Sequence, residues 1–177
     1  MVARPKVILD IATLYRNHGK HIYNLAYYYL HSIVEAEEVT QDVFLKAYDH
    51  RDRFRGEAEW HTYLYRIAVN ACLDILRKKK RKAAIVKWIQ WSSSFSHEFD
   101  TGEELGSEQT DAQWKWLLHA IGELPETQRT AFILMKIESK SQKETAEIMQ
   151  LSPKAVESLV QRAKSTLIKK SKFFEGI

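Results

Sequence analysis

Apolar residues recur along this chain at intervals of three and four, and almost nowhere at intervals of two. Ile11, Leu14 and Tyr15 open the pattern, and Ile22, Leu25, Ala26 and Tyr29 continue it. That spacing lines one face of a helix. Only six glycines and three prolines punctuate the 177 residues. The chain is therefore expected to be all-α, with the first helical face broken or bent near Gly19.

The next segment, HSIVEAEEVTQDVFLKAYD, sets Ser32 and Glu35 in the capping-box relation that starts helices. Val39, Val43 and Ala47 line one side of it, while Glu37, Glu38, Gln41 and Asp42 point elsewhere. FRGEAE interrupts the periodicity. WHTYLYRIAVNACLDILRKKKRK resumes it as a long helix expected to end in six consecutive basic residues.

Residues 89–111, IQWSSSFSHEFDTGEELGSEQTD, hold a serine cluster, two glycines and six acids without a base. Such composition reads as a linker. WKWLLHAIGEL then leads to Pro125, and TQRTAFILMKIE reads as an apolar-faced helix. The expected organisation is two small helical domains, 1–88 and 112–177, joined by a flexible acidic linker at 89–111.

In the second unit, QKETAEIMQLSPKAVESLVQRAK reads as two helices around a tight turn. Ser141 and Glu144 form a second capping box, and Ser152 before Pro153 is an N-cap with a first-turn proline. Ala146 stands where the partner helix must approach closely, and Val156 and Leu159 pack inward. Lys154, Ala155, Glu157, Ser158, Gln161 and Arg162 face outward. These offsets suit a helix-turn-helix, although Gln150 occupies the turn position where glycine is commoner. An ordinary helical hairpin has the same outline. Glu157 either accepts from cytosine N4 in a major groove or is a solvated residue paired with Lys154 or Gln161.

Charge gives these units a partner class. Residues 1–96 carry 16 Lys/Arg against 10 Asp/Glu, residues 97–123 carry 1 against 7, and residues 124–177 carry 10 against 6. Two basic blocks around an acidic one point to a polyanion met by both ends. The run RKKKRK, residues 77–82, is either a solvated helix end or a sequence-blind phosphate contact. Phe54, Trp60, Tyr63 and Tyr65 gather beside Arg55 and Gly56, and aromatics among bases suit stacking on unpaired nucleotides, although most of the four are expected in the core and one or two at the surface.

Other classes find less support. The single cysteine, Cys72, allows no internal disulfide and reads as a buried core residue in a reducing compartment. The N-terminus lacks the apolar run of a signal peptide and no stretch is long enough to span a membrane, so a cytoplasmic protein without membrane insertion is expected. His18 and His21 form the only close histidine pair and have no carboxylate set beside them. No nucleophile arrangement, phosphate-binding glycine loop or metal-ligand spacing is evident, so neither an enzyme, a cofactor nor a metal is expected. A conventional helix-turn-helix regulator would bind duplex DNA alone, and the aromatic-rich loop before RKKKRK argues against it.

Taken in order, these blocks resemble a bacterial RNA polymerase sigma factor of the extracytoplasmic function group. EAEEVTQDVFLKAY resembles the region 2 helix that grips polymerase. DRFRGEAEWHTYLYRIAVNACLDILRKKKRK resembles the segment that melts and reads the −10 element. LPETQRTAFILMKIESKSQKETAEIMQLSPKAVESLVQRAKSTL resembles region 4, which reads the −35 element.

The resemblance implies roles for particular residues. Glu38, Gln41, Asp42 and Leu45 match the face that docks on core RNA polymerase. Phe54, Arg55 and Gly56 match a loop that captures a flipped −10 base. Tyr63, Arg66 and Asn70 match positions facing the non-template strand, and Arg77 with Lys78 the adjoining backbone. Lys154, Glu157, Ser158, Gln161 and Arg162 fall on the −35 recognition helix. Trp60 stands where phenylalanine is usual and Tyr63 where tryptophan is usual. The partners implied are core RNA polymerase, promoter DNA and an anti-sigma factor.

Overall fold

The computed structural model describes residues 11–50, 60–92 and 110–174. Helix α1 spans Ile11–Leu30, α2 Ile33–Asp49 and α3 Trp60–Ser92. In the second half, α4 spans Thr110–Gly122, α5 Glu126–Phe132, α6 Gln142–Met149 and α7 Pro153–Phe174. Among the described residues every regular element is helical.

Helix α1 runs unbroken through Gly19. The glycine is buried, and a Cβ there would lie 3.3 Å from the Tyr15 ring. Its lack of a side chain lets that ring fold back along the helix, where it meets Phe44 edge-on with centroids 4.9 Å apart. The glycine serves packing and not a bend.

His31 closes α1 at φ 53°, its N–H donating to the Tyr27 carbonyl at 2.8 Å. Ser32 then caps α2, its Oγ accepting from the Glu35 N–H at 3.3 Å. Glu35 sends its carboxylate to Lys79 of α3 at 2.6 Å. Ala36, Val39, Val43 and Ala47 are buried against α1 and α3.

Helix α3 extends beyond the basic run to Ser92, so RKKKRK lies inside the helix and not at its end. Of the expected linker, residues 89–92 close α3 and residues 110–111 open α4, while 93–109 lie outside the described residues.

Helix α5 passes into a π-helical turn, Ile133–Ile137, in which the Glu138 N–H reaches the Ile133 carbonyl at 2.9 Å. Four consecutive apolar residues, Phe132 to Met135, cannot share one stripe of a regular helix. The wider turn lets Ile133 and Leu134 both be fully buried.

The cores of the two halves are continuous. One apolar cluster joins Ile22, Leu25, Tyr29, Leu64 and Tyr65 to Ile121, Ile133, Leu134 and Leu167. The sequence pattern had shown two amphipathic units without showing that their faces meet. A smaller cluster, Ala131, Ala146, Val156 and Val160, holds the α5–α7 corner together.

Candidate nucleic-acid and polymerase interfaces

The outward face of α2 is the simplest surface. Glu38, Gln41, Asp42 and Leu45 are all exposed, Leu45 by 62%. Val34 and Tyr48, neither singled out in the sequence, are exposed as well. Val34, Glu38, Gln41, Leu45 and Tyr48 follow one another at spacings of four and three, which places them on one stripe. An apolar residue on the wrong side of an otherwise regular amphipathic helix was the signal available for both.

The hairpin of α6 and α7 has helix-turn-helix geometry. The Ser141 capping box is complete: Glu144 N–H donates to Ser141 Oγ at 3.2 Å, and Ser141 N–H donates to Glu144 Oε2 at 2.8 Å. The carboxyl of Glu144 is held below the usual carboxylate range chiefly by that Ser141 interaction. Gln150 takes the left-handed conformation, φ 56° and ψ 42°, that glycine would fill more easily. Its N–H reaches the Glu147 carbonyl, and the Leu151 N–H reaches that of Ala146, at 3.3 and 3.0 Å. This pair of bonds is a Schellman closure. Ser152 Oγ then accepts from the Ala155 N–H at 3.2 Å and starts α7.

Val156 and Val160 are the buried residues of α7's first turns, and Leu159 is half-buried. Lys154, Glu157, Ser158, Gln161 and Arg162 are exposed. Among the described residues neither Lys154 nor Gln161 bonds to Glu157.

The aromatic and basic side of α3 behaves differently. Phe54, Arg55 and Gly56 lie outside the described residues. Trp60 and Tyr63 are half-buried and meet edge-on with centroids 5.7 Å apart. Arg66 donates from Nε and Nη2 to the Glu147 carbonyl at 3.1 and 2.6 Å. Arg77 grips the Glu126 carboxylate at 3.2 and 2.8 Å, and that contact lowers the Glu126 pKa. Arg66, Asn70 and Arg77 thus line a cleft of about 250 Å³ closed on its far side by Glu126, Gln150 and Leu151. Lys78 stays exposed.

Sequence reasoning missed the groups that face these cations. They are the Glu126 carboxylate and the Glu147 main-chain carbonyl. Tyr65 is one of the cluster's core aromatics, and its hydroxyl donates to Glu138 Oε2 at 2.8 Å. Lys140 Nζ lies 4.3 Å from the Tyr65 ring centroid. Cys72 is fully buried and its thiol pKa is pushed up to about 12, mainly by that burial. Among the described residues no group of three or more His, Cys, Asp or Glu is placed to hold a metal. No described helix is long and apolar enough to cross a membrane.

Known proteins resemble this chain in sequence and in fold. Residues 14–82 match the family described as sigma-70 region 2, and residues 114–167 match sigma-70, region 4. The chain is 30% identical over 137 residues to the ECF RNA polymerase sigma-E factor of Haemophilus influenzae, covering 73% of this chain and 71% of that one. It is 29% identical over 164 residues to the ECF RNA polymerase sigma factor SigW of Bacillus subtilis, covering 90% and 86%.

Its fold is shared with CnrH, solved in complex with the cytosolic domain of CnrY, at a TM-score of 0.68 and 22% identity over 92% of this chain and 87% of that one. It is also shared with the sigma factor RpoE of Bartonella quintana, solved with the anti-sigma factor NepR, at 0.66 and 22% over 92% and 97%. With both regions matched in order and the fold in agreement, the chain belongs to the extracytoplasmic function group of RNA polymerase sigma factors, which direct promoter-specific transcription initiation.

Proposed function

We propose that this sigma factor divides its work among three surfaces, carried by domains at 1–88 and 112–177 with 89–111 between them. Glu38, Gln41, Asp42 and Leu45 dock on core RNA polymerase. The α3 side, with Phe54, Arg55, Gly56, Tyr63, Arg66, Asn70, Arg77 and Lys78, receives the melted −10 element. Lys154, Glu157, Ser158, Gln161 and Arg162 of α7 read the −35 element.

The observation that carries this division is the contrast along α7. Its inward residues close a small core with α5 and α6, while five polar residues stand outward, the acid Glu157 among them. A helix built this way fits a major groove, where arginine bonds guanine and a carboxylate accepts from cytosine N4. Extruded −10 bases need stacking and hydrogen bonds to offset a few kcal/mol of unstacking, which an aromatic and basic surface supplies. The protein acts in the cytoplasm as a specificity factor without catalytic chemistry of its own. A stress or envelope signal releases it from an anti-sigma factor.

Transcription in vitro tests the reading. Core RNA polymerase is supplied with a promoter library, with and without this protein. Specific start sites that appear only with the protein support it, and an unchanged transcript profile refutes it.

A further inference from the structure

Gln142 opens α6 and is half-buried there. A side-chain amide on the first turn of a surface helix has solvent available to it. Gln142 instead reaches across the hairpin, and its Nε2 donates to the Pro153 carbonyl at 2.7 Å. Pro153 is the first residue of α7. In an α-helix the carbonyl of residue 153 also accepts the N–H of residue 157. One oxygen therefore stands between the Gln142 amide and the backbone of Glu157.

The bond closes a triangle. One side is α6, eight residues and so about 12 Å long. The second runs from Met149 through the turn to Pro153, and the Gln142–Pro153 bond is the third. The helices also meet through the cluster of Ala131, Ala146, Val156 and Val160. Such packing is non-directional and tolerates about 15–20° of scatter in crossing angle. A hydrogen bond has a preferred direction and does not.

That angle matters to what α7 carries outward. From Pro153 to Arg162 is about 13 Å of helix, so a tilt of about 15° displaces one end by about 3 Å. A binding constellation has to be held to within about 0.5 Å. Lys154, Glu157 and Ser158 stand within two turns of the bond, on the exposed side of α7.

We propose that Gln142 is a positioning residue for −35 readout, setting the angle at which α7 is offered to DNA. It acts through α7 and not on a base of its own. This rests on the reading of α7 as the −35 helix.

The test is transcription by core RNA polymerase with full-length variants on promoters that differ by single −35 bases. Gln142→Met keeps the length of the side chain and loses the donor. Gln142→Lys keeps a donor of similar reach. Circular dichroism checks that helix content is kept, with Gln142→Ala replacing a methionine variant that loses it. Each preference profile is normalised to its own total output. That removes losses from lower stability and gains from the lysine charge, since neither depends on the base. Gln142→Met should flatten the profile at the positions read by Glu157 and by Arg162 together. The contrast between preferred and disfavoured bases should fall about fivefold or more, the least that a good base contact supplies. Gln142→Lys should restore most of it.

Output that falls evenly in Gln142→Met, with contrast kept, makes Gln142 a merely structural residue and overturns the proposal. A Gln142→Lys profile as flat as that of Gln142→Met overturns it too, because the donor is then not what matters. Glu157→Ala and Arg162→Ala on the same promoters test the reading beneath. If neither changes output or profile, that reading falls and the proposal with it. If they do and Gln142→Met does not, the reading stands and the role of Gln142 alone is lost.

Discussion

The Tyr29 hydroxyl donates to Thr130 Oγ1 at 2.7 Å, joining two buried residues that lie 101 positions apart. Thr130 in turn donates to the Glu126 carbonyl at 2.8 Å, so the bond ties α1 to the first turn of α5. Burial pushes the Tyr29 phenol well above its ordinary pKa, and it remains a donor across the working pH range. Tyr29→Phe removes the donor and keeps the ring. It should cost about 1 kcal/mol, lowering the melting temperature by about 2–4 °C in a chain of this size. Thermal unfolding followed by circular dichroism measures it, and identical melts would remove the bond from the seam.

Asp42 is exposed on the stripe of α2 that turns away from the core. Asp42→Arg should leave the stability within about 0.5 kcal/mol of wild type, as surface changes usually do. Association with core polymerase should be lost. Co-purification with the core enzyme decides this, and retention of the variant on polymerase would reject the assigned face.

Glu157 and Arg162 share the outward side of α7 but differ in what they offer DNA. Arg162→Ala should lower transcription from every promoter that depends on its −35 element. Glu157→Ala removes no attraction to the backbone, and should relax preference at a single −35 base by about 1–3 kcal/mol. Output across −35 single-base variants reads both effects. An unchanged preference profile in Glu157→Ala would make it only a solvated residue.

Gln150 holds φ 56° in the turn before α7. Left-handed backbone costs a side-chain-bearing residue roughly 1–2 kcal/mol, and glycine returns part of that gain as unfolded-state entropy. Gln150→Gly should therefore stabilise slightly. Gln150→Val, β-branched at positive φ, should destabilise by roughly 2 kcal/mol. Denaturant midpoints of the two variants should fall on opposite sides of wild type.

His18 sits at the seam with its pKa lowered by burial and then by His61, Lys140 and His21. A base whose folded pKa is depressed contributes stability that is complete above its unfolded value of 6.5 and is lost as pH falls through the folded value. Glu138 lies 3.7 Å from His21 and Glu144 3.5 Å from His61 on the elements around it. His18→Gln should accordingly flatten the fall in melting temperature between pH 7.5 and 5.5. A slope as steep as wild type would assign the acid sensitivity elsewhere.

What the sequence made legible was local. Ser32, Ser141 with Glu144, and Ser152 with Pro153 announced three helix starts because a cap is a relation between residues three apart. The inward Val156 and the outward Glu157 followed from the turn before them. Gly19 misled because a glycine that makes room for a ring looks the same in sequence as one that breaks a helix. The basic run was taken for a helix end because cations suit that end, yet α3 carries it internally. The seam was illegible for a stronger reason. Tyr65 with Glu138 and Arg77 with Glu126 are 73 and 49 residues apart, and no periodicity links them.

The interior position of Arg77–Lys82 has a consequence of its own. Six consecutive residues of an α-helix go more than once around its axis, so the cations form a collar and not a stripe. Arg77 and Lys79 turn to Glu126 and Glu35, while Lys78, Lys80, Arg81 and Lys82 remain exposed. Four cations are thus left for a polyanion of any sequence. A helix collared in this way favours loitering on any duplex, weakly and in proportion to how little salt is present.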